Sequence, residues 1–316
     1  VVVTKDTTTK TPPAFSSYSD IERKLTKKYQ EYELTASIDN VVIGDEGSRI
    51  FIPANSLKTK SGYQPESFKI RILEFFNKSD FLMHKLHTVS DGKAIIASGA
   101  AHIQAIADNG EDLIIDSQNP VEIGFPKNDG DGQMNLFSGI RDVQGNMNWV
   151  PAQIAEPKVV PDTLMPEEPQ TKKPKKGKSR KKAIEVAPEP TGPLLSDLYH
   201  LYKISQFGWL GASKMMSANV PSVTIKIDQK PDANTNYFIL FRDYKSVLQF
   251  EKVASNYVVS NIPRESVVFV IGIRYENGNA QYSIAELAAS DANLKPAVFQ
   301  NVNLKELKRF LRRFDS

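Results

Sequence analysis

The alternation of apolar and polar residues predicts a chain built mainly of β-strands. One helical pattern comes first: Ser19 and Glu22 form a capping box, and Ile21, Leu25 and Tyr29 follow at helical spacing. After this short helix the period of the pattern changes to two. The strands expected in the first half are 33–39, 41–44, 49–52, 67–75, 94–107, 112–116, 121–126, 134–140 and 147–150.

The second half repeats the strand pattern and ends in a helix. Its expected strands, after apolar runs at 198–204 and 207–210, are 223–227, 237–241, 250–253, 257–259, 267–273 and 281–285. Residues 304–314 then carry Leu304, Leu307, Leu311 and Phe314 on one side, which predicts an amphipathic C-terminal helix. Many short strands separated by Asn, Asp and Gly turns are typical of β-sandwiches. We therefore expect two β-sandwich domains of the Ig-like kind, with short helices at both ends.

A Pro/Lys-rich segment divides the chain. Residues 155–193 hold 8 of the 19 prolines, 9 basic residues and 6 acidic residues, which leaves 31 basic and 31 acidic residues elsewhere. Such a segment cannot bury enough apolar surface to offset the entropy of ordering it, so it predicts a disordered basic linker. The expected organisation is a flexible tether at 1–17, a first β domain at 18–153, the linker at 154–193 and a second β-sandwich at 194–316.

The net charge of +3 therefore belongs to the linker. Its basic residues are candidates for contact with anionic lipid headgroups or other polyanions. The candidate residues are Lys172, Lys173, Lys175, Lys176 and Arg180. No aromatic residue lies between them to stack on a base, so we predict no nucleic-acid role.

Motifs that carry chemistry are scarce. The chain has no cysteine, which excludes thiol catalysis and zinc sites that use Cys, and it has no Gly-rich phosphate loop or Gly-x-Ser-x-Gly elbow. His84 and His87 are the only local histidine pair, on an expected short helix at 79–86 capped by Ser79 or Asp80. The run 129–132 is interpreted as a hairpin turn rather than a calcium loop. We predict no enzymatic activity, no metal and no cofactor.

Aromatic and apolar residues are the remaining candidates for binding. Tyr202, Phe207 and Trp209 cluster around Gly208, and Trp149 ends the last strand of the first half. These rings are either core residues or an exposed platform for a glycan, including peptidoglycan. Leu307, Leu311 and Phe314 of the C-terminal helix either close the end of a sandwich or face a partner or a membrane surface.

Several segments resemble one protein family. Val41-Val-Ile-Gly44 followed by Ile50-Phe-Ile-Pro-Ala-Asn-Ser-Leu57 is similar to the opening of ZU5-like β domains, and Phe68–Phe75, Asp91–Ala105 and Pro120–Pro126 continue the succession. In the second half, Tyr202-Lys-Ile-Ser-Gln-Phe-Gly-Trp-Leu-Gly-Ala-Ser-Lys214 resembles a recurring segment of the same group of envelope proteins of Bacteroidota-type bacteria. This chain has Gly211 and Ser213 where that segment usually carries Asn and Asp.

The resemblance implies an exported, β-rich protein of the cell envelope. Such a protein is outer-membrane associated, periplasmic or on the surface, and ZU5-type domains serve as interaction modules. The chain lacks the His-Phe-Ser step at which some ZU5 proteins cleave themselves, and a lipoprotein anchor would have to precede Val1. The expected function is that of a non-enzymatic scaffold, an accessory subunit of an outer-membrane or periplasmic assembly that binds other envelope proteins. The alternative is a glycan- or peptidoglycan-binding module.

Overall fold

The computed structural model describes residues 14–128, 130–143, 145–152, 195–216, 220–290 and 293–315. Strands make up 52% and helices 11%, which confirms the prediction of a mainly β protein with short helices near both ends. Of the expected tether at 1–17, residues 1–13 lie outside the described residues, and so does the whole of the expected linker at 154–193. The five candidate basic residues from Lys172 to Arg180 lie outside them as well.

The N-terminal helix α1 spans Tyr18–Leu25. The predicted capping box at Ser19 is wrong by two residues, because Ser17 caps the helix and its Oγ accepts a hydrogen bond from the Asp20 N–H at 3.1 Å. The helix ends at Leu25, and Tyr29 lies outside it.

The first sandwich consists of two sheets. The strand order of the first sheet is β1 (Gln30–Thr35), β5 (Ser67–Phe75), β7 (Lys93–Ala107), β13 (Gly208–Met215), β10 (Asn135–Arg141) and β11 (Met147–Pro151), with β6 (Val89–Ser90) paired to β7. The order of the second sheet is β12 (Tyr199–Ile204), β9 (Val121–Pro126), β3 (Arg49–Ile52) and β2 (Asn40–Ile43). The short strands β4 (Leu57–Thr59) and β8 (Leu113–Ile115) pair with each other. Ile70 and Ile103 of the first sheet share one buried core with Ile50 and Ile123 of the second.

The expected domain boundary at residue 194 does not match the strand pairing. Strand β12, which follows the short helix α3 (Leu195–Leu198), pairs with β9, and β13 pairs with both β7 and β10. Residues 199–215 therefore complete the first sandwich, and the second sandwich begins after Met216. Both flanks of 153–194 belong to the first sandwich, so this segment joins two strands of one sandwich and does not set the separation between two domains.

The second sandwich follows from residue 222 onward. One sheet has the order β16 (Val247–Gln249), β15 (Thr235–Phe241), β19 (Val267–Glu276), β20 (Asn279–Ala288) and β22 (Gln300–Val302). The other has β17 (Glu251–Val253), β18 (Asn256–Pro263), β14 (Ser222–Ile227) and β21 (Asn293–Leu294). Strand β15 is a continuous apolar run because both of its faces are buried. Tyr237, Ile239 and Phe241 enter the core of this sandwich, while Phe238 and Leu240 face a second cluster.

This second cluster lies between the two sandwiches and joins them. It contains Ile21 of α1, Phe75 of β5, Phe81 of the short helix α2 (Lys78–Met83), Leu240 of β15 and Leu311 of the C-terminal helix α4 (Leu304–Leu311). Backbone hydrogen bonds also cross the boundary, among them Ala97 N–H to the Lys245 carbonyl at 3.0 Å. Apolar burial from both sandwiches in one cluster makes them one packed unit.

The C-terminal segment caps a helix of the first sandwich. Neither Ser79 nor Asp80 caps α2 as expected, and Asn77, at the N-cap position, makes no side-chain capping bond. Asp315 supplies the cap from the other end of the chain: its carboxylate accepts from the Ser79 N–H at 2.8 Å and from the Ser79 hydroxyl at 2.7 Å. A carboxylate at this position satisfies a helix N–H group that would otherwise lack a partner.

Candidate interaction surface

Two of the predicted aromatic residues are core residues. Trp149 is 1% exposed, and its indole N–H donates to the His87 carbonyl at 3.0 Å. Tyr202 is also buried, and its hydroxyl donates to the Met134 carbonyl at 2.9 Å. Both rings pack in sheet interiors with their polar atoms satisfied, so the expectation of an exposed platform is wrong for these two residues.

The other two aromatic candidates, Phe207 and Trp209, are half-buried and line an open hollow of about 500 Å³. The Trp209 ring has close neighbours: the Arg141 guanidinium lies 4.7 Å and the His102 ring 4.5 Å from its centroid. His102 Nδ1 in turn lies 2.7 Å from the Tyr29 hydroxyl. The Trp209 ring is thus in contact with other residues of the protein, whereas a sugar-binding platform has an exposed ring face.

The apolar residues of the C-terminal helix are buried as well. Leu307, Leu311 and Phe314 all pack in the cluster between the sandwiches. The helix has a complete capping box formed by Asn303 and Glu306. Of the two interpretations left open by the sequence, the helix that closes a packed core fits the structure, and these residues offer no surface to a partner or a membrane.

Strand β2 carries the most prominent exposed apolar residues on the edge of a sheet. It is the last strand of the sheet β12–β9–β3–β2 and pairs only with β3 among the described residues. Val41 and Ile43 are 53% and 50% exposed, and Ile38, just before the strand, is 57% exposed. Val42, between them, points into the core. Large apolar side chains on an open edge are unusual, because such an edge promotes association with another chain.

The backbone of β2 also has free hydrogen-bonding groups at this edge. The Gly44 N–H donates to the Ser48 carbonyl. Because hydrogen-bonded residues alternate along an antiparallel strand, residues 40, 42 and 44 direct their N–H and C=O groups towards β3. The peptide groups of Val41 and Ile43 therefore point away from β3. Within the described residues, two side chains of β1 bond to the backbone on this side: the Tyr32 hydroxyl donates to the Ile43 carbonyl at 3.1 Å, and the Gln30 Oε1 accepts from the Asp45 N–H at 2.9 Å. The Val41 N–H and C=O and the Ile43 N–H are open to a further strand.

A buried carboxylate holds the β2–β3 hairpin in place. Glu74 is 1% exposed and accepts hydrogen bonds from the N–H groups of Glu46 and Ser48 and from the Gln30 side chain, at 2.8–2.9 Å. A Cβ atom at Gly44 would lie 2.4 Å from this carboxylate, so a larger residue there would displace it from its hydrogen bonds. Because Glu74 is on β5 of the opposite sheet, it fixes the hairpin that presents β2.

The ends of β2 are acidic. Asp39 precedes the strand and Asp45 follows it, and both are exposed. The Glu46 carboxylate contacts the ammonium of Lys27, which also bonds to Asp80 at 2.6 Å. An incoming segment with basic residues at its ends would therefore meet complementary charge.

The predicted histidine pair is buried near the boundary between the sandwiches. His84 Nε2 accepts from the Lys27 N–H at 2.9 Å, and His87 is 5% exposed with no partner for its Nε2 in the described structure. Burial, together with the nearby charges of Lys27 and Arg141, lowers the pKa of His84 to about 3. Burial also lowers the pKa of His87 to about 3. In the described ranges, no three His, Asp or Glu residues are grouped so that they could hold a metal ion.

The sequence of Val41–Gly44 carries the family resemblance but does not by itself mark a binding site. Three consecutive apolar residues beside an acidic turn are the available signal, and alternation alone does not tell an edge strand from a central one. No helix in the described part of the chain is long and apolar enough to cross a membrane.

No family model, curated protein or solved structure matches this chain. The resemblance to ZU5-like domains of envelope proteins therefore stays a prediction, and the geometry of the described residues is the basis for the function.

Proposed function

We propose that this protein is a non-enzymatic interaction module that binds an extended segment of a partner protein along β2. The observation that carries the proposal is the edge at Val41 and Ile43, where exposed apolar side chains coincide with the Val41 N–H and C=O and the Ile43 N–H, which have no partner among the described residues. Addition of a strand to a sheet edge obtains affinity from main-chain hydrogen bonds and specificity from alternate side chains.

The edge defines the chemistry of the partner segment. The Val41 N–H, the Val41 C=O and the Ile43 N–H have no partner among the described residues and favour a partner segment with an extended backbone. The exposed side chains of Val41 and Ile43 favour apolar residues at alternate positions of that segment. The exposed carboxylates of Asp39 and Asp45 favour Lys or Arg at the ends of that segment. Because Glu74 holds the hairpin, the edge is already in its binding conformation, which limits the entropy lost on binding.

The biological setting that we propose is the cell envelope. There the protein would act as an accessory subunit of an outer-membrane or periplasmic assembly. This setting rests on the resemblance of Val41–Leu57 and Tyr202–Lys214 to envelope proteins. The glycan-binding alternative has less support, because Trp149 is buried and Trp209 is in contact with Arg141 and His102.

The Val41→Lys substitution should weaken partner capture at least tenfold, which corresponds to about 1.4 kcal/mol or more of binding free energy. A lysine on an edge strand opposes addition of another strand, while a half-exposed position tolerates it in the folded protein. The measurement is a pulldown from a native envelope extract with quantitative mass spectrometry. A peptide copied from the captured protein is then titrated against the same variants.

The matched control is Ile140→Lys, which places the same charge at a 57% exposed apolar residue of β10, outside the β2 edge. We expect this control to capture the same proteins as the unmodified chain, and the captured peptide to contain alternate apolar residues. Equal capture by the Val41→Lys variant, or loss of capture in the Ile140→Lys variant alone, would rule out the β2 edge as the binding surface.

A further inference from the structure

A cleft of about 630 Å³ lies between the two sandwiches, on a different surface from the β2 edge. Basic side chains from both sandwiches line it. Lys78 and Lys214 come from α2 and β13 of the first sandwich, and Arg242 and Lys245 come from the β15–β16 connection of the second. Its volume is in the range of sites that hold a small molecule.

The three lysine ammonium groups bond only to backbone carbonyls among the described residues. Lys78 Nζ donates to the Arg242 carbonyl, Lys214 Nζ to the Asp131 carbonyl and Lys245 Nζ to the Ser98 carbonyl, each at 2.7 Å. None of the three forms an ion pair with a carboxylate of the described residues. A lysine ammonium has three donors, so each has capacity for further acceptors.

The carboxylates of the cleft are already bonded to other groups. Asp131 accepts from the Ser98 hydroxyl, from Asn128 and from His200, and Asp315 accepts twice from Ser79. Asp243 accepts from the Arg242 guanidinium at 3.2 Å. The described acidic residues are thus held by hydroxyl, amide, imidazole and guanidinium donors, and none of them is in direct contact with one of the three ammonium groups.

Burial of these ammonium groups is unfavourable. Lys78 is 8% exposed, and burial lowers its pKa, although the charges of Asp243 and Asp315 oppose this effect. Burial also lowers the pKa of Lys245, and the charge of Lys78 lowers it further, although Asp131 and Asp315 oppose this effect. The pKa of each lysine stays lowered despite these carboxylates, so they offset the cost of burying the two cations only in part, and a bound anion would offset more of it.

We propose that this cleft binds the oxyanion group, phosphate or carboxylate, of a small molecule. The anion accepts hydrogen bonds from the ammonium groups of Lys78, Lys214 and Lys245. Each group uses N–H donors that are not bonded to a backbone carbonyl. Because the lysines come from both sandwiches, the anion bridges them and stabilises their packing. The site is independent of the proposed binding at β2, so either proposal stands if the other fails.

The test is calorimetric titration of the full chain with inorganic phosphate, at constant ionic strength against sodium chloride. We expect saturable binding at one site per chain. At phosphate concentrations about ten times the dissociation constant, the Tm should rise by about 3 °C. Succinate, titrated in parallel, separates the two ligand chemistries: saturable binding of either anion supports the site, and the tighter one identifies the preferred group.

The Lys245→Met and Lys214→Met variants should each weaken binding at least tenfold, since each removes one ammonium group from the cleft. Lys214 is on a different strand and only half-buried, so its variant keeps the test valid if Lys245→Met does not fold. Lys69→Met removes a lysine on β5 that pairs with Glu31 outside the cleft, and it should bind as the unmodified chain does. Failure of both anions to bind saturably, or equal affinity in the cleft variants and in Lys69→Met, would overturn the proposal.

Discussion

Replacement of Leu311 by alanine should lower the free energy of unfolding by about 2–5 kcal/mol, the usual cost of truncating a fully buried leucine. Leu311 is 0% exposed and packs in the cluster that contains residues of both sandwiches. The cavity would therefore open between the sandwiches. Because that cluster is shared, we expect one cooperative unfolding transition, in which both sandwiches lose stability together.

Denaturant unfolding followed by circular dichroism and by tryptophan fluorescence measures this effect. Both tryptophans, Trp149 and Trp209, lie in the first sandwich, whereas circular dichroism reports on both sandwiches. The control is Lys305→Ala on the exposed side of the same helix, with an expected change below about 0.5 kcal/mol. Two separate transitions, or a Leu311→Ala cost no larger than the control, would show that the C-terminal helix does not join the sandwiches.

Acidification from pH 7.5 to pH 5 should remove about 4 kcal/mol of stability through His84 and His87 together. The folded pKa of each is about 3, below the ordinary value of 6.5. A lowered pKa means that the unfolded chain takes up protons first as the pH falls. The stability is therefore fully present above pH 6.5 and is lost progressively between pH 6.5 and pH 3, by about 1.4 kcal/mol per pH unit for each histidine.

Other groups modify this dependence. Burial lowers the pKa of His102 to about 4, so this histidine adds to the loss of stability on acidification. Burial raises the pKa of Asp80, so this carboxyl group reduces that loss.

The measurement is urea unfolding at pH 7.5, 6 and 5, compared with a His87→Asn variant. The variant should lose stability less steeply between pH 6.5 and pH 5. A stability that does not change over this range, or a variant with the same slope, would contradict the assignment of His87 as a buried neutral base.

The local pattern of the sequence predicts the strands well but not their partners. Period-two alternation identifies 67–75 and 121–126, and the structure has strands at Ser67–Phe75 and Val121–Pro126. The sequence pattern places β12 and β13 in the second domain, because they follow the Pro/Lys-rich segment. Their pairing with β9, β7 and β10 is set by contacts between residues far apart in sequence, which periodicity does not report.

The candidate site was harder to predict, because residue type does not report exposure. Trp149, Tyr202 and Leu311 are apolar residues of the kind found both in cores and at interfaces, and all three are buried. The sequence gives no signal that Lys78 and Lys245 line the same cleft, since the packing of the two sandwiches brings them together. The sequence also does not show that β2 lies at the edge of a sheet, because this depends on which strands pair with each other.

Amide hydrogen exchange at β2, measured with and without the captured partner segment, tests the central claim most directly. The N–H groups of Val41 and Ile43 have no partner in the described structure, so both should exchange rapidly in the free protein. In the complex we expect their exchange to slow at least tenfold, while the Val42 N–H, already bonded to β3, changes little. Unchanged exchange at Val41 and Ile43 in a saturated complex would contradict binding of a partner strand at this edge.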